Sequence, residues 1–300
     1  MRKFPLISIL VNCYNSEKFI SECINSLLNQ TYKNIEIIIW DNCSTDNTSK
    51  IINNFDDNRI RYYKSEVHTF LSKARILASE KINGEYVAIV DSDDLAYKNK
   101  IYEQFDYFSK NNNLSLLGTW MGVINDAGKL IDKYEPEFKK YSLQSQLIWC
   151  NPLVHSSIMY KRSVAVDLGW YSKKLTNFQD YGLTLKILSK YEIGMLNKNL
   201  GARRVHGLNN IKNKKTYLSQ IREYELLLRY ARLIIINKYE NQAKLLDLNK
   251  KSLLVNKFKY LLFIFKNNIN FSKFYKLVKF ILCNPVILLH NGYIRKYLIK

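Results

Sequence analysis

Glu85-Tyr86-Val87-Ala88-Ile89-Val90-Asp91-Ser92-Asp93-Asp94 sets an apolar run directly against three carboxylates. The apolar part is short and continuous, as in a parallel strand covered on both faces, and the turn residues Asn83-Gly84 precede it. Three carboxylates in four residues repel one another unless something compensates them. At a strand end they can hold a hard divalent cation, Mn²⁺ or Mg²⁺, through oxygen ligands. The competing reading is a solvated loop that caps a helix.

Toward the N-terminus the same unit recurs. Leu6 to Val11 is an apolar run bounded by Pro5 and Asn12. A helix is expected from Ser16 to Asn29, because Phe19, Ile20, Cys23, Ile24, Leu27 and Leu28 fall on one face. Asn15 or Ser16 is its expected cap. Ile35 to Trp40 and Arg59 to Lys64 read as strands, with helices from Asp46 to Asn54 and from Leu71 to Lys81. Another helix is expected from Lys98 to Lys110. Strand and helix alternating four times predict an α/β fold, a mostly parallel sheet with helices on both faces. Ligands bind such sheets at the carboxyl ends of the strands. Polar clusters stand at three of those ends: Asn12 to Asn15, Asp41 to Asp46 and Asp91 to Asp94. Further on, strands are expected over Leu114 to Ile124, Leu130 to Tyr134 and Val154 to Tyr160, and a helix over Tyr181 to Lys190.

These clusters make the chain recognisable. Val11-Asn12-Cys13-Tyr14-Asn15, Asp41-Asn42-Cys43-Ser44-Thr45-Asp46, Ala74-Arg75, Gly84-Glu85-Tyr86 and Asp91-Ser92-Asp93-Asp94 resemble, in order, the nucleotide-sugar half of family 2 glycosyltransferases. Asn151 to Tyr160 is similar to an acceptor-side strand of bacterial members. Gly169-Trp170-Tyr171 followed by Gln179-Asp180-Tyr181 resembles the segment that supplies the catalytic base, and Arg204-Val205-His206 resembles an Arg-x-His element. The resemblance covers residues 5 to 210 and implies the GT-A fold. It divides the chain into a catalytic domain over 1–210, with a nucleotide-sugar half over 1–110 and an acceptor half over 111–210, and a basic C-terminal region over 211–300.

The resemblance implies an inverting, metal-dependent glycosyltransferase that uses a nucleoside diphosphate sugar, of the UDP type, and a glycan or lipid-linked acceptor. It implies Asp93 and His206 as ligands of Mn²⁺ or Mg²⁺, with Asp94 an alternative to Asp93. Asp91 would hold the ribose, Asp41 the base, Arg75 the base or diphosphate, and Tyr14 would pack beside the nucleotide. Arg204 would stand near the diphosphate, and Asp180 would be the general base. Four residues depart from the family: Asn12-Cys13 replaces Pro-Thr, Asn42 replaces an Asp, and Gln179 replaces a Glu.

Charge divides the chain unevenly. The net charge is +20, from 46 Lys and Arg against 26 Asp and Glu. Residues 1–210 hold 27 basic and 22 acidic residues, whereas residues 211–300 hold 19 and 4. The basic segment mixes Lys with Leu, Ile, Tyr and Phe and reads as helical, which suits an anionic bilayer surface. No uninterrupted apolar run reaches transmembrane length. Five scattered cysteines without a C-x-x-C pair argue against a disulfide framework or zinc site. The expected setting is the cytoplasm, peripheral on the inner face of the plasma membrane, in surface polysaccharide or lipopolysaccharide synthesis. Two rivals stand beside this reading. A sugar nucleotidyltransferase would carry a glycine-rich basic loop after the first strand, where Asn12 to Asn15 has no glycine. A basic polyanion-binding protein would carry a nucleic-acid module, and none is recognised, so no nucleic acid is expected as a partner.

Overall fold

A computed structural model describes residues 4–136, 142–147, 150–206 and 223–231, with 233, 234 and 238. In chain order these form β1 (Ile7–Cys13), α1 (Ile20–Leu28), β2 (Ile35–Asp41), α2 (Thr48–Asn53), β3 (Ile60–Lys64), α3 (Leu71–Ser79) and β4 (Tyr86–Ile89). There follow β5 (Leu95–Ala96), α4 (Lys100–Lys110), β6 (Leu114–Ile124), β7 (Leu130–Tyr134) and α5 (Leu143–Gln146). A 3-10 turn (His155–Ser157), β8 (Met159–Lys161), α6 (Arg162–Asp167), α7 (Gln179–Lys190) and β9 (Glu192–Arg204) complete the sheet and its cover. Residues 223–231 are helical. Apart from 233, 234 and 238, the remainder of the basic segment lies outside the described residues.

One sheet runs through the molecule in the order β3-β2-β1-β4-β8-β6-β9-β5, with β7 paired to β6. The first four of these strands are parallel. β8 is antiparallel to both β4 and β6, and β6 is parallel to β9. The expected parallel sheet therefore holds for the nucleotide-sugar half and becomes mixed in the acceptor half. Ile7, Ile9, Val11, Ile37, Ile39 and Ala88 are fully buried. They pack against Ile20, Cys23, Ile24 and Leu27 of α1 and against Ile101, Phe105 and Phe108 of α4. Each such aliphatic side chain contributes on the order of 1.5–3 kcal/mol through burial.

Register decides where the polar loops end up. β1 pairs with β2 from Ile7 opposite Ile35 to Cys13 opposite Asp41, and with β4 from Ile7 opposite Tyr86. The carboxyl ends of three strands thus fall in one row. At the other end Gly84 is required by close approach: a Cβ there would stand 2.5 Å from the Ser8 nitrogen.

Three local expectations are corrected. α1 begins at Ile20, without a side-chain cap, and the carbonyl of Ser16 receives the N–H groups of Phe19 and Ile20. Val154 to Tyr160 is not one strand. The 3-10 turn over His155–Ser157 precedes β8 and turns three polar side chains inward. The long strand β9, with its charged Lys198, Arg203 and Arg204, was not expected at all.

Candidate active site

The acidic loop runs straight into β5, and β5 pairs antiparallel with β9, Leu95 opposite Ala202. Residues just before Leu95 therefore meet residues just after Ala202. Gly201 permits this approach, since a Cβ there would stand 2.7 Å from the Leu95 carbonyl. The consequence is direct contact between segments more than a hundred residues apart. The Arg204 N–H donates to Asp94 Oδ1 at 2.8 Å, and His206 Nε2 lies 2.9 Å from Asp93 Oδ2.

The three carboxylates of the loop are treated differently. Asp94 is buried, with Oδ1 on the Arg204 N–H and Oδ2 accepting the Ser156 hydroxyl at 2.5 Å. Ser156 also accepts the Asp91 N–H through the same hydroxyl oxygen, so it ties both ends of the loop together. Asp93 keeps 29% of its side chain exposed and faces His206. Burial, followed by repulsion from Asp91, pushes the Asp93 carboxyl up from its ordinary range. Burial and the charges of Asp93 and Asp91 push Asp94 higher still. Beneath the loop, the buried Lys100 donates to the Ser156 carbonyl at 2.6 Å, and desolvation pulls its ammonium down to about 7 against the opposing pull of Asp94.

Asp91 is held by a buried polar junction. Burial opposes its charge, but the neighbouring His155 and Arg75 outweigh that and hold its carboxyl well below the usual range. Arg75 Nη2 lies 3.4 Å from Asp91 Oδ1 and 3.1 Å from His155 Nδ1. His155 Nδ1 lies 3.2 Å from Asp91 Oδ1, and its Nε2 lies 3.0 Å from the Tyr171 hydroxyl. Arg75 Nη1 donates to Gln179 Oε1 at 3.3 Å. The guanidinium is only 6% exposed, so it bridges the donor loop to the first residue of α7 rather than lying open in the crevice. Asp180 is the next residue, and its Oδ2 accepts the Asn151 amide at 3.2 Å.

Arg204 is likewise interior. Its Nε donates to the Asp93 carbonyl, Nη1 to the carbonyls of Asn125 and Asp126, and Nη2 to Glu22 Oε2. The guanidinium stands 4.6 Å over the Phe19 ring, and the His206 ring lies 4.8 Å from the same phenyl group. Arg204 therefore braces the acidic loop, while His206 reaches it.

The two remaining strand-end loops are joined to one another. Asn15 adopts a positive φ of 48°, which Asn tolerates better than most residues, and its Oδ1 accepts the Thr45 N–H. The Ser44 and Thr48 hydroxyls accept the N–H groups of Asn15 and Ser16. Ser16 in turn lies 2.9 Å from Ser92, hydroxyl to hydroxyl, within the acidic run. Tyr14 is 46% exposed, with its ring 4.2 Å from that of His68. Asp41 is fully buried and accepts from the Ser44 N–H and from the Ser49 and Tyr62 hydroxyls. It orders the loop from within.

Sequence reasoning gave no role to Ser156, Lys100, Glu22 or Asn151. Asn151, His155 and Ser156 do sit in the stretch quoted for its family resemblance, but the aspartates they meet are 29 to 65 residues away. Among the described residues no group of three or more His, Cys, Asp or Glu side chains is arranged to hold a metal ion. The donor set present is a pair, the Asp93 carboxylate and the His206 imidazole. It fits a divalent cation only where the ligand supplies further oxygens, as a diphosphate does. The charge Asp93 carries against Asp91 is one that a cation would offset.

Known proteins share the family and the fold. The profile described as Glycosyl transferase family 2 matches residues 8–169. An uncharacterized glycosyltransferase of Methanocaldococcus jannaschii is 31% identical over 238 residues, 76% of this chain and 78% of its own. The Escherichia coli UDP-Glc:alpha-D-GlcNAc-diphosphoundecaprenol beta-1,3-glucosyltransferase WfgD is 31% identical over 195 residues, 64% of this chain and 73% of its own. Residues 1–349 of S. aureus TarS, in complex with UDP-GlcNAc, share the fold with a TM-score of 0.65 at 20% identity, over 92% of this chain and 79% of that one. The chain belongs to glycosyl transferase family 2 and has the GT-A architecture.

Proposed function

We propose that this family 2 glycosyltransferase moves a sugar from a UDP-type donor to a hydroxyl of a glycan or lipid-linked acceptor, with inversion at the anomeric carbon. The observation that carries the reading is the Asp93–His206 pair at the carboxyl end of the sheet, connected through Asp91, Arg75 and Gln179 to the turn that bears Asp180. UDP-GlcNAc in TarS and the UDP-Glc donor of WfgD support a UDP-sugar. The lipid-diphosphate acceptor of WfgD supports a lipid-linked acceptor and a place in surface-polysaccharide or lipopolysaccharide synthesis.

Asp93 and His206 would hold Mn²⁺ or Mg²⁺, and the nitrogen donor of His206 suits Mn²⁺ better. Bound there, the ion supplies charge compensation for the leaving diphosphate. Asp94 keeps its oxygens on Arg204 and Ser156 and holds the loop in shape. Asp91, fixed by Arg75 and His155, receives the ribose hydroxyls. Tyr14 packs beside the base, and Asp41 acts through the loop it orders.

Asp180 takes the proton of the acceptor hydroxyl. The acceptor oxygen then forms its bond to the anomeric carbon as the bond to the diphosphate oxygen breaks. A single displacement inverts the centre. The basic segment 211–300 is assigned to the anionic cytoplasmic face of a membrane on its charge of 19 basic against 4 acidic residues. No helix among the described residues is long and apolar enough to cross a bilayer.

Calorimetry of UDP binding with and without Mn²⁺, on wild type and Asp93→Ala, tests the site. Metal-dependent binding that disappears in the variant is expected. Failure of UDP, GDP and dTDP alike to bind the wild type would overturn the reading.

A further inference from the structure

Residues 211–300 contain four acidic side chains, Glu223, Glu225, Glu240 and Asp247. The first of them is turned back onto the catalytic domain. Glu223 Oε1 accepts the Thr176 N–H at 3.1 Å and the Thr176 hydroxyl at 2.5 Å, and Oε2 accepts the Asn177 N–H at 2.9 Å. Three donors from two consecutive residues converge on one carboxylate. Those residues lead directly into α7, whose first two positions are Gln179 and Asp180.

The contact does not stop at the turn. The Thr176 carbonyl accepts the Gln179 amide at 2.6 Å, and Gln179 Oε1 receives Arg75. The Tyr224 ring lies 5.2 Å from Phe178 and 6.1 Å from Tyr181, the residues that flank Gln179 and Asp180. Leu227, Leu228, Ala231 and Ile234 of the same segment are buried. A helix N-terminus leaves its first N–H groups without intrahelical partners and favours nearby negative charge. Thr176 and Asn177 lie just ahead of the N-cap Phe178, so a carboxylate that gathers their N–H groups orders the turn through which the chain enters α7 and brings negative charge near its start.

We propose that Glu223 is the positioning residue that sets the acceptor-side base: it clamps the turn 176–178 and so holds Asp180 in register with Asp91 through Gln179 and Arg75. This rests on the reading of Asp180 as the base. General-base catalysis demands hydrogen-bond reach, and a displacement of about 1 Å can cost on the order of 10²-fold in rate. Glu223 touches none of the donor loops and reaches Asp91 only through Gln179 and Arg75, so the clamp acts on turnover more than on donor affinity.

The test uses the full chain as wild type, Glu223→Ala and Glu223→Gln, with three readouts: amide hydrogen exchange, UDP binding and transfer. In Glu223→Ala, exchange over 176–182 should quicken about tenfold or more while residues 86–96 stay as protected as in wild type. UDP affinity should stay within about twofold, and kcat should fall about 10- to 100-fold. Glu223→Gln, which keeps one accepting oxygen, should fall between the two. Unchanged exchange over 176–182 overturns the proposal, as does unchanged turnover despite faster exchange. A parallel loss of UDP binding and of protection along the whole chain also overturns it, because that marks a folding role. A wild type that transfers no sugar from any nucleotide donor defeats the functional reading instead, and the exchange readout then decides the clamp alone.

Discussion

Buried carboxylates lie at both ends of the same parallel strands, and they are treated in opposite ways. At the amino ends, Glu36 accepts the Ser8 hydroxyl, the Asn83 and Gly84 N–H groups and Arg61 Nη1. Burial opposes its charge, yet Ser8, the Asn83 N–H and Arg61 together hold its carboxyl below the ordinary range. At the carboxyl ends, Asp93 is pushed above its range by burial and by Asp91, and Asp94 by burial and by both Asp93 and Asp91. One cluster is closed on itself. The other sets its carboxylates against one another, and a cation with a diphosphate would relieve that repulsion. Glu36, whose oxygens are all taken by protein donors, is structural, whereas Asp93, which meets His206 and keeps 29% of its side chain exposed, is open to a ligand.

The sharpest way to break this contrast is Asp93→Asn, which removes the charge and keeps the shape. Transfer should fall by about 10³-fold, the scale of losing a main electrostatic stabiliser of the leaving group. The melting temperature should rise by about 2–4 °C, because a repulsion worth on the order of 1 kcal/mol disappears. Thermal unfolding beside a transfer assay reads both. A variant that loses stability together with activity would place Asp93 in the same class as Glu36.

The reciprocal substitution is Glu36→Ala. It takes an acceptor from Arg61, the Ser8 hydroxyl and the Asn83 N–H, while the Gly84 N–H keeps the Ser8 hydroxyl, and it should cost about 1–3 kcal/mol by urea unfolding. Turnover per folded molecule should not change, since Glu36 lies at the far end of the strands. The pH dependence has a definite sign. A carboxyl held low in the folded state stabilises above its unfolded pKa, near ~4.3. That stabilisation is lost as pH falls through the lower folded value. Glu36→Gln should therefore flatten the acid limb of a stability profile below about pH 4.5 and leave the neutral region parallel to wild type. An unchanged acid limb would mean that Glu36 is not the group that titrates there.

The two halves of the chain were also unequally legible. In β1 to β4 the period of apolar residues, the turn at Asn83-Gly84 and the polar strand ends lie next to each other in sequence, so local reading located strands and crevice together. The acceptor half depends on distant pairing. β9 contains Lys198, Arg203 and Arg204 and earns its strand state from β6 and β5, a hundred residues or so upstream. His155 to Ser157 looked like strand residues because their isolated pattern is apolar on either side, whereas their hydroxyls and ring are needed by Asp91 and Asp94. Asp93 and His206 could be paired from motif resemblance. The interior roles of Arg75 and Arg204 could not, because a string does not reveal that Gln179, Glu22 and Asn125 will surround them. Glu223 was hidden for the same reason, inside a segment whose net charge pointed elsewhere.

A smaller test turns a compensated polar group into an uncompensated one. Asn42 stands where the family carries a carboxylate, next to the buried Asp41. Its Nδ2 donates to the Thr69 carbonyl at 2.7 Å, and its Oδ1 accepts the Thr69 N–H and hydroxyl at 3.2 and 3.0 Å. An amide donates to that carbonyl and accepts from that N–H at once, which an ionised carboxylate cannot do. Asn42→Asp would set a carboxylate against the Thr69 carbonyl and add a charge beside Asp41, in a site only 5% exposed. The expected cost is about 1–3 kcal/mol at neutral pH, because a buried acceptor loses its donor. It should shrink in acid, where protonation restores a donor to residue 42. The loop from 65 to 70, which carries His68 against Tyr14, should loosen with it, so UDP affinity should weaken more than kcat. Equal stability of the two proteins at pH 7 would show that Thr69 finds another donor, and the neutral residue at 42 would then need a different explanation from the closed hydrogen-bond pair that surrounds it.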